Sequence, residues 1–136
     1  MMREMDKKLP YFELTGSILN ACFEVMKELG SGFIENVYKN ALLIVLREEG
    51  LHVTVEQSFE VVFRGRVIGR YRADLVVENT VIVELKCCEN LMGEHQAQLF
   101  NYLKVSQLPV GLLVNFFHRK LAWKRLQSSD EELILI

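Results

Sequence analysis

The sequence lacks the devices that staple a small protein from outside. Its three cysteines, Cys22, Cys87 and Cys88, are odd in number and two are adjacent, which is no disulfide framework. Such thiols suit a reducing cytoplasm. No CxxC or HxxxH spacing occurs and the three histidines are scattered, which argues against zinc. The longest uncharged apolar runs, such as "LPVGLLVNFF", are too short to span a bilayer, so no membrane partner is expected. No basic n-region precedes an apolar h-region at the start, so no signal peptide is expected. A basic excess is missing too: 16 Lys and Arg against 18 Asp and Glu leave a net charge of −2. Habitual binders of duplex DNA carry the opposite balance, so any contact with nucleic acid must be local or brief.

What remains is an ordinary core. With 136 residues, 50% hydrophobic and 25% charged, the chain fits a single domain over residues 1–136. Its first eight residues, "MMREMDKK", are polar and expected to fray. Leu14, Ile18, Leu19, Cys22, Val25, Met26 and Leu29 recur at helical spacing, and Gly30 stops that helix. A second helix is predicted from about Ile34 to Glu49, closed by Gly50. The period then changes. "HVTVEQSFEVVFRG", "RVIGRYRADLVV" and "TVIVELKCC" are β-branched and aromatic, with "RG" and "EN" as turns, which predicts an antiparallel meander. "GEHQAQLFNYLKVSQ" returns to helical spacing; "VGLLVNFF" and "KLAWKRL" read as further strands. The order is ααβββαββ, an α+β domain without repeats or linkers.

Within the meander, Asp74, Glu84 and Lys86 interrupt apolar strands. Buried charges are costly unless paired or bound to metal. Residues two apart share a strand face, so Glu84 and Lys86 project together. If Val77 pairs with Val81 across an odd-numbered loop, Asp74 sits opposite Glu84, about 5.5 Å away in Cα terms. A plain two-residue turn at Glu78 and Asn79 instead sets Asp74 opposite Val83 and parts the two acids. Two carboxylates about 4 Å apart repel by roughly 4 kcal/mol at an effective dielectric of 20. Hard oxygen ligands of this kind suit Mg²⁺ or Mn²⁺, with Lys86 beside them to hold a water or a phosphate oxygen. A solvated Asp–Glu–Lys face explains the short pattern equally well.

Asp74 with "Glu84-Leu85-Lys86" resembles the core motif of the PD-(D/E)XK nuclease superfamily, and "GFIENVY", Gly32 to Tyr38, resembles the signature of the bacterial GxxExxY proteins grouped with it. The likeness extends through "LTGSILNACFEVMKELGSG", "AQLFNYLK", "VGLLVNF" and "LAWKR", nearly the whole chain. It implies a mixed β-sheet flanked by helices, Asp74 and Glu84 as metal-binding acids, and Lys86 as the catalytic lysine. Glu35 resembles the superfamily's helix-borne acid, which supports metal or water; a first-turn glutamate favoured by the helix dipole is the plainer account. Gly32 serves the backbone turn, and Tyr38 either orients Glu35 or packs. Gln98 matches a helix glutamine that reaches the active site in some members, against a surface role; Tyr102, four residues on, is expected to pack. The proline of the superfamily's name is replaced by Ala73, and Met26 stands where a histidine is expected in the first helix.

Further along, Arg119, Lys120, Trp123 and Lys124 offer charge and one ring to a phosphate chain and a base. The same residues suit a charged strand edge that discourages pairing. The resemblance implies a Mg²⁺- or Mn²⁺-dependent nuclease acting on DNA or RNA. The alternative is a catalytically silent module that keeps the fold and binds nucleic acid or protein. A homodimer is compatible with either.

Overall fold

The computed structural model describes residues 11–128; the expected fraying of residues 1–8 lies outside them. Helix α1 (Phe12–Leu29) buries Ile18, Ala21, Cys22, Val25 and Met26 along one stripe and stops at Gly30, whose φ of 73° an L side chain resists. Helix α2 (Glu35–Glu48) buries Tyr38, Leu42 and Leu46 at four-residue spacing. Strands β1 (Val53–Phe63), β2 (Arg66–Val77) and β3 (Val81–Lys86) then form the antiparallel meander. Helix α3 (Gly93–Ser106) crosses over, so that β4 (Val110–Asn115) lies parallel to β3, and β5 (Ala122–Gln127) pairs antiparallel with β4. The five-stranded sheet keeps the chain order β1-β2-β3-β4-β5.

Side-chain alternation sorts the core into two layers. Val81, Val83, Leu85, Leu112 and Val114 pack under α1 and α2, whereas Ile82 and Leu113 pack under α3 with Leu99, Phe100 and Leu103. This is the mixed α+β sheet flanked by helices that the order ααβββαββ implies. Met26 lies in the first layer, 6% exposed, and so serves packing. No helix among the described residues is long and apolar enough to cross a membrane.

The turn between β2 and β3 sets the register. Val77 pairs with Val81, Val76 with Ile82 and Leu75 with Val83, leaving the odd loop Glu78–Thr80. Glu78 and Asn79 both take left-handed backbone, at φ 52° and 50°, and Thr80 N donates back to Val77 O at 3.0 Å.

Strict alternation fails in two places: at Ile68, the extra residue where the β1–β2 register shifts between Val61 and Val62, and again nearer β3. Leu75 and Val77 face α1 and α2, but Tyr71 and Ala73 face α3, although all four are odd-numbered. The partner strand breaks in step: Val53 and Val55 lie in the first layer and Phe59 in the second. Glu56, between Val55 and Gln57, is left-handed at φ 51°, and Asp74 lies opposite it at the same break. A half-turn of both strands at this point re-aims every side chain beyond it.

Candidate active site

The ladder between β2 and β3 ends at Leu75–Val83, and two carboxylates take over from backbone beyond it. Asp74 N donates to Glu84 Oε2 at 3.1 Å, and Leu85 N donates to Asp74 Oδ2 at 2.9 Å. Each acid thus accepts the amide that the parted strand would have left unpaired, which fixes both without a side chain between them. Asp74 and Glu84 therefore meet as the register requires, though through the strand break and not across one flat face.

Glu84 is 8% exposed, and its second oxygen, Oε1, accepts the Tyr71 hydroxyl at 2.5 Å. Burial raises its pKa well above the ordinary carboxylate range, and the Asp74 carboxyl raises it further; the Tyr71 bond works the other way. Tyr71 in turn stacks on Tyr102 of α3, ring planes 14° apart. Burial followed by the Glu84 charge raises the pKa of both phenols. Tyr102 packs on the residue that holds Glu84. Gln98, one turn earlier on α3, is exposed.

Lys86 ends β3, half-buried, with no carboxylate within 4.0 Å among the described residues. Glu35, the first residue of α2, lies within its field. Burial raises the Glu35 pKa first, the Asp74 charge adds to that, and Lys86 and Lys39 oppose it. Lys39 itself is engaged by Glu56 at 3.1 Å. No group of three His, Cys, Asp or Glu side chains among the described residues is close enough to hold a metal unaided. The structure joins Asp74 to Glu84 directly and leaves Glu35 coupled to Asp74 through charge.

Tyr38 bonds through its hydroxyl to backbone rather than to Glu35. Its hydroxyl donates to Gly30 O at 2.6 Å and accepts Phe33 N at 3.3 Å, while its ring stacks on Phe116. It ties down the loop that delivers Glu35, a loop in which Gly32 takes φ 107°. The basic group at the chain's end does not form one surface. Arg119 and Lys120 sit in the β4–β5 loop, and Trp123 and Lys124, as neighbours in β5, point to opposite faces.

Three participants escaped the sequence reading. Tyr71 sits among arginines in "RVIGRYRADL", and only its burial marks it. Asn115, 1% exposed, clamps the end of β3 by accepting Cys88 N at 3.1 Å and donating to Cys88 O at 2.7 Å. A lone asparagine closing the apolar run "VGLLVN" was its signal. Gln57, opposite Ala73, keeps a buried Oε1 without a partner among the described residues.

The donor set fits a hard divalent cation. Burial, and then the neighbouring Asp74 carboxyl, disfavour the charge on Glu84, which is what a bound cation relieves.

Two solved structures share the architecture. The protein titled SSO0001 superposes with a TM-score of 0.55 at 18% identity, over 96% of this chain and 70% of its own. An alkaline exonuclease from Laribacter hongkongensis gives 0.54 at 16%, over 94% and 74%. No curated protein matches the sequence. A family model described as the PD-(D/E)XK nuclease superfamily matches residues 12–126. Matched over most of its length and carrying the acid, acid and lysine in the motif's order, the chain belongs to the PD-(D/E)XK nuclease superfamily.

Proposed function

We propose that this chain is a Mg²⁺- or Mn²⁺-dependent nuclease that hydrolyses phosphodiester bonds, and that it falls in the GxxExxY group of the superfamily. The observation that carries this is the hydrogen-bonded Asp74–Glu84 pair beside an ammonium, Lys86, that no carboxylate among the described residues claims. Asp74 and Glu84 would hold the cation, with Glu35 adding negative charge from α2. When bound, the ion supplies acidification of a water and neutralisation of phosphate charge. Lys86 holds the attacking water or a phosphoryl oxygen by hydrogen bond, since an ammonium donates and cannot ligate. Tyr71 fixes the rotamer of Glu84, and Tyr102 backs Tyr71. Gln98, on the same helix face as Tyr102, and the loop residues Arg119 and Lys120 serve substrate contact. The thiols of Cys22, Cys87 and Cys88 are free, in keeping with a reducing cytoplasm.

A second reading, a silent binding module, draws on the absence of a three-ligand cluster among the described residues. Labelled single- and double-stranded DNA and RNA, incubated with Mg²⁺, Mn²⁺ or chelator, separate the two. Cleavage that needs metal and is lost in Lys86→Ala, with metal affinity kept by calorimetry, supports the nuclease. Binding without turnover on every substrate supports the module.

A further inference from the structure

The acidic chain concentrates arginine in one place. Between Glu60 and Asp74 it carries Arg64, Arg66, Arg70 and Arg72 and no acid at all. All four are exposed. Tyr71 and Ala73 point to α3, so alternation turns Arg70 and Arg72 to the other face of β2, in a row that ends at Asp74; the register shift between Val61 and Val62, with Ile68 as the extra residue, puts Arg66 on the opposite face, toward the hairpin's end. Strand rise spaces Arg70 and Arg72 by about 7 Å.

Nothing inside the protein needs this row. Among the described residues the only acid paired with it is Glu60, 3.6 Å from Arg70, with both side chains more than half exposed at 53% and 70%. Pairs of that kind contribute little. Arginines with internal duties look different. Arg47 donates to Val53 O at 3.0 Å, and Arg125 donates to Thr15 Oγ1 at 3.4 Å.

We infer that Arg70 and Arg72 form a track for the phosphodiester backbone of a nucleic acid, leading along β2 to the acids at Asp74 and Glu84. The inference rests on the nuclease reading and adds the route by which substrate reaches the site. Guanidinium forks suit phosphate oxygens, and the row supplies the local positive field that the net charge withholds. The exposed Ile68 and Phe63 on the same hairpin, 65% and 56% exposed, also invite a second copy of the chain. Charge argues against that occupant: a two-fold contact here would set arginines against arginines.

The test measures binding in Ca²⁺ or chelator, with fluorescent single-stranded and duplex oligonucleotides titrated at several salt concentrations. Wild type is compared with Arg70→Ala/Arg72→Ala and with the double Lys variant, after all three show equal melting temperatures. The Ala variant should bind at least about tenfold more weakly at 0.15 M salt. Its slope of log affinity against log salt should flatten by about 1 to 2, and the Lys variant should recover most of that slope. Whichever oligonucleotide shows the larger loss identifies the strand form that uses the track. If wild type binds and the Ala variant matches it in affinity and slope, the track is wrong and the nuclease reading stands. If wild type binds no polynucleotide, both fall. Concentration-dependent dimerisation abolished by the Ala variant would overturn the track in favour of self-association.

Discussion

The β1–β2 hairpin has two halves that share backbone and little else. The inner half, Val53–Val55 against Leu75–Val77, is apolar and sits under helices; Leu75 and Val77 are fully buried. The outer half, from Gln57–Phe63 and Arg66–Ala73, keeps Tyr71 and Ala73 inside and turns arginines, Val67 and Ile68 to solvent. The change falls at Glu56 and Asp74, where both strands flip. A regular strand buries one face throughout and gives a carboxylate nowhere to stand. A strand that changes faces exposes backbone amides at the change, and here those amides are answered by Asp74 and Glu84. The site exists because the ladder is interrupted there.

If the halves differ as described, their tolerance to truncation must differ most. Leu75→Ala removes a side chain of 0% exposure and should cost about 2–5 kcal/mol in denaturant unfolding. Ile68→Ala, at 65% exposure, should cost no more than about 0.5 kcal/mol. Equal losses would mean that the outer half is covered by something in solution.

The junction itself should respond to metal. Mn²⁺ at about a hundredfold its dissociation constant should stabilise the fold by about 2.7 kcal/mol, seen as a rise in melting temperature. Asp74→Asn with Glu84→Gln should abolish the rise. A double variant that still responds as wild type does places the metal elsewhere.

Next in size is the phenol that reaches across the junction. Tyr71→Phe keeps the ring against Tyr102 but withdraws the donor to Glu84 Oε1. The buried carboxyl loses its compensating bond at a cost of about 1–2 kcal/mol, and its pKa climbs further. Proton competition then weakens metal affinity, which calorimetry at fixed pH would show. Unchanged affinity would reduce Tyr71 to packing.

These contrasts mark what sequence could and could not supply. The helices, strands and their order were legible because Leu42 and Leu46, or Val81 and Val83, repeat at the spacing of one element. Parity tied the meeting of Asp74 and Glu84 to an odd loop or a bulge, since the side-chain period is two. The flip at Asp74 was not legible. It depends on the backbone of Glu56, a residue on another strand whose identity does not demand left-handed φ. Tyr71 and Asn115 were missed for the same reason: their partners, Glu84 and Cys88, are 13 and 27 residues away. The scattered roles of Trp123 and Lys124 show the converse, neighbours in sequence parted by the pleat.

The smallest effect tests the loop that holds the register. Glu78 and Asn79 both stand at positive φ, 52° and 50°, where an ordinary L side chain is strained by roughly 1–2 kcal/mol. Asn79 tolerates that region through its short polar side chain; Glu78 has no such excuse. Replacing Glu78 by glycine removes the strain but adds unfolded-state entropy, so the two effects partly cancel. Glu78→Gly should therefore raise stability by about 0.5–1 kcal/mol in urea, and Asn79→Gly by less. Neither should change metal affinity, because Val77 still meets Val81 and the acids stay in register. Loss of stability in Glu78→Gly would show that its backbone is not left-handed. Loss of metal affinity without loss of stability would show that the strands had slipped, taking Asp74 from Glu84.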